Sequence, residues 1–135
     1  MSRSRALLMA LSLVSGACRS TPAPPAAPIA VPQQIGHWQG SGNHTIGFDS
    51  QSGRFRIRWE TRLESGKVDG AFRLTVHSGV SGRPLQEVVN HHGAGQGSIN
   101  FEDDPRLYQL MVESGDVQWS VMVDEIVLAP ASSRR

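Results

Sequence analysis

Apolar and polar side chains alternate with a period of two in run after run of this chain, and no stretch of useful length carries the 3.6-residue period of a helix. In an extended chain, alternate residues point to opposite faces, so such runs fold as strands with one buried face. Phe55, Ile57, Trp59 and Thr61 alternate with Arg56, Arg58, Glu60 and Arg62, and Phe72, Leu74 and Val76 with Arg73, Thr75 and His77. Further on, Tyr108, Leu110 and Val112 alternate with Gln109, Met111 and Glu113. Val117, Trp119, Val121 and Val123 then alternate with Gln118, Ser120, Met122 and Asp124. Shorter segments of the same character lie at 36–42 around Trp38, 45–49 around Ile46 and Phe48, 85–90, and 98–101. Turn-forming residues punctuate these runs at the spacing of a sandwich or barrel. The prediction is an all-β fold, about eight strands in a single antiparallel β-sandwich. Trp38, Phe48, Phe55, Trp59, Phe72, Tyr108 and Trp119 are expected to fill most of its core. Ser114, Gly115 and Asp116 are expected to form a hairpin turn joining the last two strands.

The first 34 residues follow different rules. Arg3 and Arg5 precede nine apolar or small residues from Ala6 to Val14, and Ser15, Gly16 and Ala17 supply a small-residue cleavage site, which together describe a secretory signal. At ~1.5 Å rise per residue, so short a run cannot cross a hydrocarbon core of about 30 Å. Cys18 is the sole cysteine, and one cysteine cannot form an intramolecular disulfide. Five of the eight prolines fall between residues 19 and 34. That composition favours an extended spacer, which at ~3.1 Å per residue reaches about 50 Å. The expected organisation is a signal peptide at 1–17, Cys18 and a tether at 18–34, the β-sandwich at 35–128 and a flexible tail at 129–135.

The segment Val14, Ser15, Gly16, Ala17, Cys18 resembles the lipobox of bacterial lipoproteins. That resemblance implies lipidation of Cys18, membrane attachment through the N-terminal lipid, and a place in the cell envelope, on the outer membrane. Within the folded region, Gly40-Ser41-Gly42, Thr45, Phe48, "RFRIRWE" through Trp59, "FRLTV" from Phe72 and "YQLMVESGDVQWSVMVDE" from Tyr108 to Glu125 are similar to a domain recurring in small bacterial lipoproteins and secreted proteins. Its fold is a sandwich of the jelly-roll or prepeptidase C-terminal kind. The resemblance implies fold and location, and brings no catalytic residue with it.

Charge narrows the partners. Without Arg3 and Arg5, 11 basic residues face 12 acidic ones, whereas a nucleic-acid binder carries a basic excess or a dense basic patch. Nucleic acid is therefore not an expected partner. Were the strands carrying Arg56, Arg58 and Arg62 and carrying Arg73 and His77 antiparallel neighbours, these side chains would share an anion-binding face for lipopolysaccharide phosphates or acidic glycans. The competing reading is a solvated sheet face with Glu60 interleaved. Glu102, Asp103 and Asp104 offer hard oxygens that suit calcium, but the spaced acids and glycine of a calcium loop are missing, so a solvated turn is expected. Adjacent His91 and His92 point to opposite faces of an extended chain and make a poor zinc pair. Gly93, Gly95 and Gly97 precede a strand and not a helix, so they read as a loop and not a phosphate cradle.

No nucleophile elbow, metal-binding helix or nucleotide loop occurs in the sequence, and neither a cofactor nor a metal is implied. The expected function is a non-enzymatic binding or structural module on the envelope, with a glycan, lipid or protein partner. The alternative is an auxiliary hydrolase assembled from His44, Asp49, His91 and His92.

Overall fold

The computed structural model describes residue 16 and residues 27–131, and the latter form eight strands and no helix. The strands are β1 (Ile29–Ser41), β2 (His44–Ser50), β3 (Arg54–Leu63), β4 (Ala71–Ser78), β5 (Pro84–His92), β6 (Gly95–Glu102), β7 (Arg106–Gly115) and β8 (Val117–Ala129). Every segment expected to be extended is a strand. Two four-stranded antiparallel sheets result, ordered β1-β8-β3-β6 and β2-β7-β4-β5. They pack face to face as a sandwich. The pairs β1·β8, β2·β7, β3·β6 and β4·β5 are successive rungs of one long antiparallel ribbon, folded back at the β4–β5 turn and rolled up. Pairing of β3 with β8 and of β4 with β7 closes each sheet. This is the jelly roll.

Sheet membership corrects two expectations. β7 and β8 lie in different sheets, so Ser114, Gly115 and Asp116 form an arch between sheets and not a hairpin. Only Asp116 separates the two strands, in left-handed conformation (φ 61°). A two-residue loop is the shortest common hairpin connection, and a single residue serves instead to carry the chain across the sandwich. β3 and β4 are likewise split between sheets, which removes the condition on which a shared face for their arginines depended.

The core is built by the apolar phase of each strand. Phe55 is fully buried and touches three rings: Phe48 at 4.9 Å edge-on, Phe101 at 4.9 Å stacked and Tyr108 at 5.0 Å edge-on. These separations are those at which aromatic pairs attract beyond their shared burial. Phe48, Phe72 and Trp119 are buried as expected. Trp38 and Trp59 are only partly buried, packed against the margin of the core. Trp59 lies near the β6 edge, where its ring meets Phe72 and His91. There it explains a further correction: Gly95 and Gly97 belong to β6 and not to a loop. A Cβ on Gly97 would stand 2.8 Å from the Trp59 ring and one on Gly95 2.4 Å from His91, so these glycines are strand positions whose side-chain space a neighbouring ring already fills.

β1 starts at Ile29, six residues inside the segment expected to be tether. Pro32, opposite Ile126, is compatible with pairing because β1 is an edge strand and can turn a residue without an N–H to its unpaired side. A bulge between Gln34 and Gly36 inserts Ile35, which packs against the core. Apart from residue 16, the expected signal peptide lies outside the described residues, as do Cys18, most of the tether and residues 132–135.

Two polar clasps tie the arches nearest the start of β1. The Glu125 carboxylate, 5% exposed, accepts hydrogen bonds from the Ser50 hydroxyl at 3.0 Å, the Ser52 N–H at 2.6 Å and the Ser52 hydroxyl. Tyr108 donates its hydroxyl to the Asp104 carbonyl four residues upstream, the device that pins a sandwich corner in other folds. Burial, and next the nearby Asp103 carboxylate, push its phenol above the ordinary value.

Candidate binding groove

The outward residues of the β1-β8-β3-β6 sheet form a grid that pairing register defines. One transverse row reads Gln39, Ser120, Glu60, Gln96, and the next His37, Met122, Arg58, Ser98. Ser41, Gln118 and Arg62 extend it toward the β1–β2 turn. A groove of about 660 Å³ crosses β1, β8 and β3 over this grid, lined by His37, Gln39, Glu60, Arg62, Gln118 and Ser120 among others. A second hollow of about 490 Å³ shares Glu60, Ser120 and Met122 with it and continues over Gln96 and Ser98 to β6. Together they span all four strands of the sheet.

The chemistry of this surface is mixed and nearly neutral. Arg62 pairs with Glu60 at 3.2 Å, and Arg58 grips Asp124 with Nε at 3.0 Å and Nη2 at 2.8 Å. His37 Nε2 lies 2.8 Å from Ser120 Oγ. The side-chain amides of Gln39, Gln96 and Gln118 each offer two donors and an acceptor. A Ser–His contact could suggest a nucleophile and its base, but acyl transfer also needs donors aimed at a developing oxyanion. Ser120 sits in the middle of β8, whose backbone pairs with β1 on one side and β3 on the other. Its neighbouring amides are thereby engaged in the ladders.

The candidate residues read from sequence scatter over the molecule. Arg56, Arg58 and Arg62 share the outer face of the β1-β8-β3-β6 sheet, but Arg73 lies on the opposite outer face, because β4 belongs to the other sheet. Each arginine has a partner: Arg56 donates to Asn100 at 3.2 Å, and Arg73 meets Glu113 at 2.6 Å and Glu87 at 3.8 Å. Arg73 and His92 line a separate depression of about 460 Å³. The His44 ring lies tilted against Trp119 with centroids 5.9 Å apart, Asp49 accepts from Gln51, and His91 lies against Trp59. His44, His91 and His92 sit at one end of the sandwich and Asp49 at the other, so the four do not form one site. Glu102 pairs with Arg54 at 3.0 Å, and Asp103 and Asp104 face Arg106 at 3.5 and 3.3 Å. Among the described residues, no three His, Cys, Asp or Glu side chains converge as a metal site.

No protein-family model matches the chain, and no curated protein matches it in sequence. The groove therefore stands on its own geometry. Its polar residues all occupy the outward phase of runs whose inward phase signals the core. Their alternation is visible in the sequence, but their convergence depends on β1 and β3 flanking β8.

Proposed function

We propose that this protein is an envelope lipoprotein, anchored through Cys18, whose jelly roll is a non-catalytic module that binds a hydroxyl-rich glycan in the groove across β1, β8 and β3. The observation that carries the reading is the polar grid: amides, hydroxyls, an imidazole and a compensated Arg62–Glu60 pair line a groove of about 660 Å³. Sugar hydroxyls both donate and accept, and such side chains satisfy both roles without a large net charge. The lipobox-like segment ending at Cys18 supports the anchor.

Titration of the mature chain with envelope polysaccharide fractions tests this reading. Each direct hydrogen bond contributes about 0.5–1.5 kcal/mol, so Gln39→Ala with Gln118→Ala is expected to lower affinity about tenfold. Binding is expected to change little with salt, because the groove offers no uncompensated charge to screen. A steep salt dependence, or unchanged binding by the double variant, would contradict the proposal.

A further inference from the structure

The apolar side chains that this domain leaves in solvent are gathered at one end of it. Seven large hydrophobic residues are exposed among those described. Six of them, Ile29, Val31, Val80, Leu85, Leu107 and Leu128, sit where β1, β3, β5 and β7 begin and β2, β4 and β8 end. The register fixes this placement: Ser50 pairs with Arg106, Ser78 with Tyr108 and Pro84 with His77. The β2–β3 arch joins this end of one sheet to that of the other, through Ser50 and Glu125. Only Val68, 95% exposed, lies in the β3–β4 connection at the far end. Beyond the pairing of Phe55 with Glu125, β1 and β8 continue as a two-stranded ribbon, Ile29 opposite Ala129 and Val31 opposite Val127. Ile29 is 55% and Leu128 61% exposed. The grid described above, on the same sheet but nearer the opposite end, is polar except for Met122.

This is also the end at which the chain arrives from Cys18. Ten residues, 19–28, separate that cysteine from Ile29, a reach of about 31 Å at ~3.1 Å per residue. The sequence leaves β8 toward Arg134 and Arg135, cations of the sign that anionic headgroups attract. Of the acids nearby, Glu102 pairs with Arg54, Asp103 and Asp104 share Arg106, and Asp49 and Glu125 meet neutral donors, so apolar exposure and the anchor carry the docking. We infer that this apolar end is a membrane-docking surface: Leu107, Val80 and the Ile29–Leu128 ribbon enter the headgroup and acyl boundary of the bilayer that holds the anchor. Docking there turns the polar groove outward from the lipid. The inference rests on the lipidation of Cys18 for its geometry, and its test separates the two.

Because the chain has a single cysteine, an acylated Cys18 leaves no other thiol. A Leu107→Cys, Leu128→Cys or Val68→Cys variant then takes one thiol-reactive bimane at a residue already in solvent, where folding is undisturbed. The lipidated protein is placed in vesicles of phosphatidylethanolamine and phosphatidylglycerol containing lipids with a nitroxide near the headgroup. Interfacial apolar surfaces bury about 5–10 Å into this region, so bimane at positions 107 and 128 is expected to be quenched about threefold more than at 68. Equal quenching at all three positions, or none at 107 and 128, overturns the docking surface. Two bimane groups per chain would overturn the anchor alone. The unlipidated chain added to the same vesicles must then still give the same order of quenching, and loss of that order overturns the docking surface as well.

Discussion

Phe55→Ala is expected to destabilise the domain by about 3–5 kcal/mol, a large part of the ~5–15 kcal/mol that holds a typical domain folded. Phe55 is fully buried and is the ring on which Phe48, Phe101 and Tyr108 converge from three other strands. Its removal deletes aromatic contacts and leaves a cavity bounded by both sheets, which the closed ladders cannot collapse to fill. Equilibrium urea unfolding followed by tryptophan fluorescence measures the loss. Trp59→Ala makes the informative contrast. Trp59 shares the strand and the inward phase of Phe55 but is only partly buried, so its loss is expected to cost about 2 kcal/mol. Equal costs at the two positions would mean that the core reaches the β6 edge. A Phe55 cost below about 1 kcal/mol would contradict the packing outright.

The second large effect is all-or-none. Cys18→Ala is expected to abolish incorporation of a palmitate analogue and to leave the precursor unprocessed, because the sequence holds no other thiol to receive the diacylglyceryl group. One acyl chain holds a protein only marginally, whereas two or more hold it stably. The wild-type chain is therefore expected to stay with membranes through a high-salt wash and the variant to be released or retained as uncleaved precursor. Normal acyl labelling of Cys18→Ala would end the lipoprotein reading.

Strands are legible in this sequence because burial on one face of a sheet imposes a period of two, which survives in residues such as Phe55, Ile57 and Trp59 whatever their partners. Sheet membership is not legible in the same way. Nothing in Arg56, Arg58 and Arg73 records that β3 and β4 lie in different sheets. That fact comes from the rolling of the whole ribbon, a matter of contacts distant in sequence. The same limit hides the groove. Gln39, Ser120 and Glu60 are ordinary outward residues of three separate segments, and only the register of β8 between β1 and β3 sets them in one row. Gly95 and Gly97 mislead for a related reason: a glycine emptied to admit a ring from the next strand looks, in sequence, like a loop glycine. The strand character of 29–34 is obscured by Pro32, which an edge strand tolerates and an inner one does not.

The most direct test of the binding account is a titration of the isotope-labelled mature chain with the envelope polysaccharide it binds, followed by backbone amide chemical shifts. The account predicts that perturbed amides fall along His37, Gln39 and Ser41 of β1, Gln118 and Ser120 of β8, and Glu60 and Arg62 of β3. Amides of β4 and β5 around Arg73 and Asn90 should stay in place. Perturbations centred on β4 and β5, or no perturbation with any envelope polysaccharide, would contradict it.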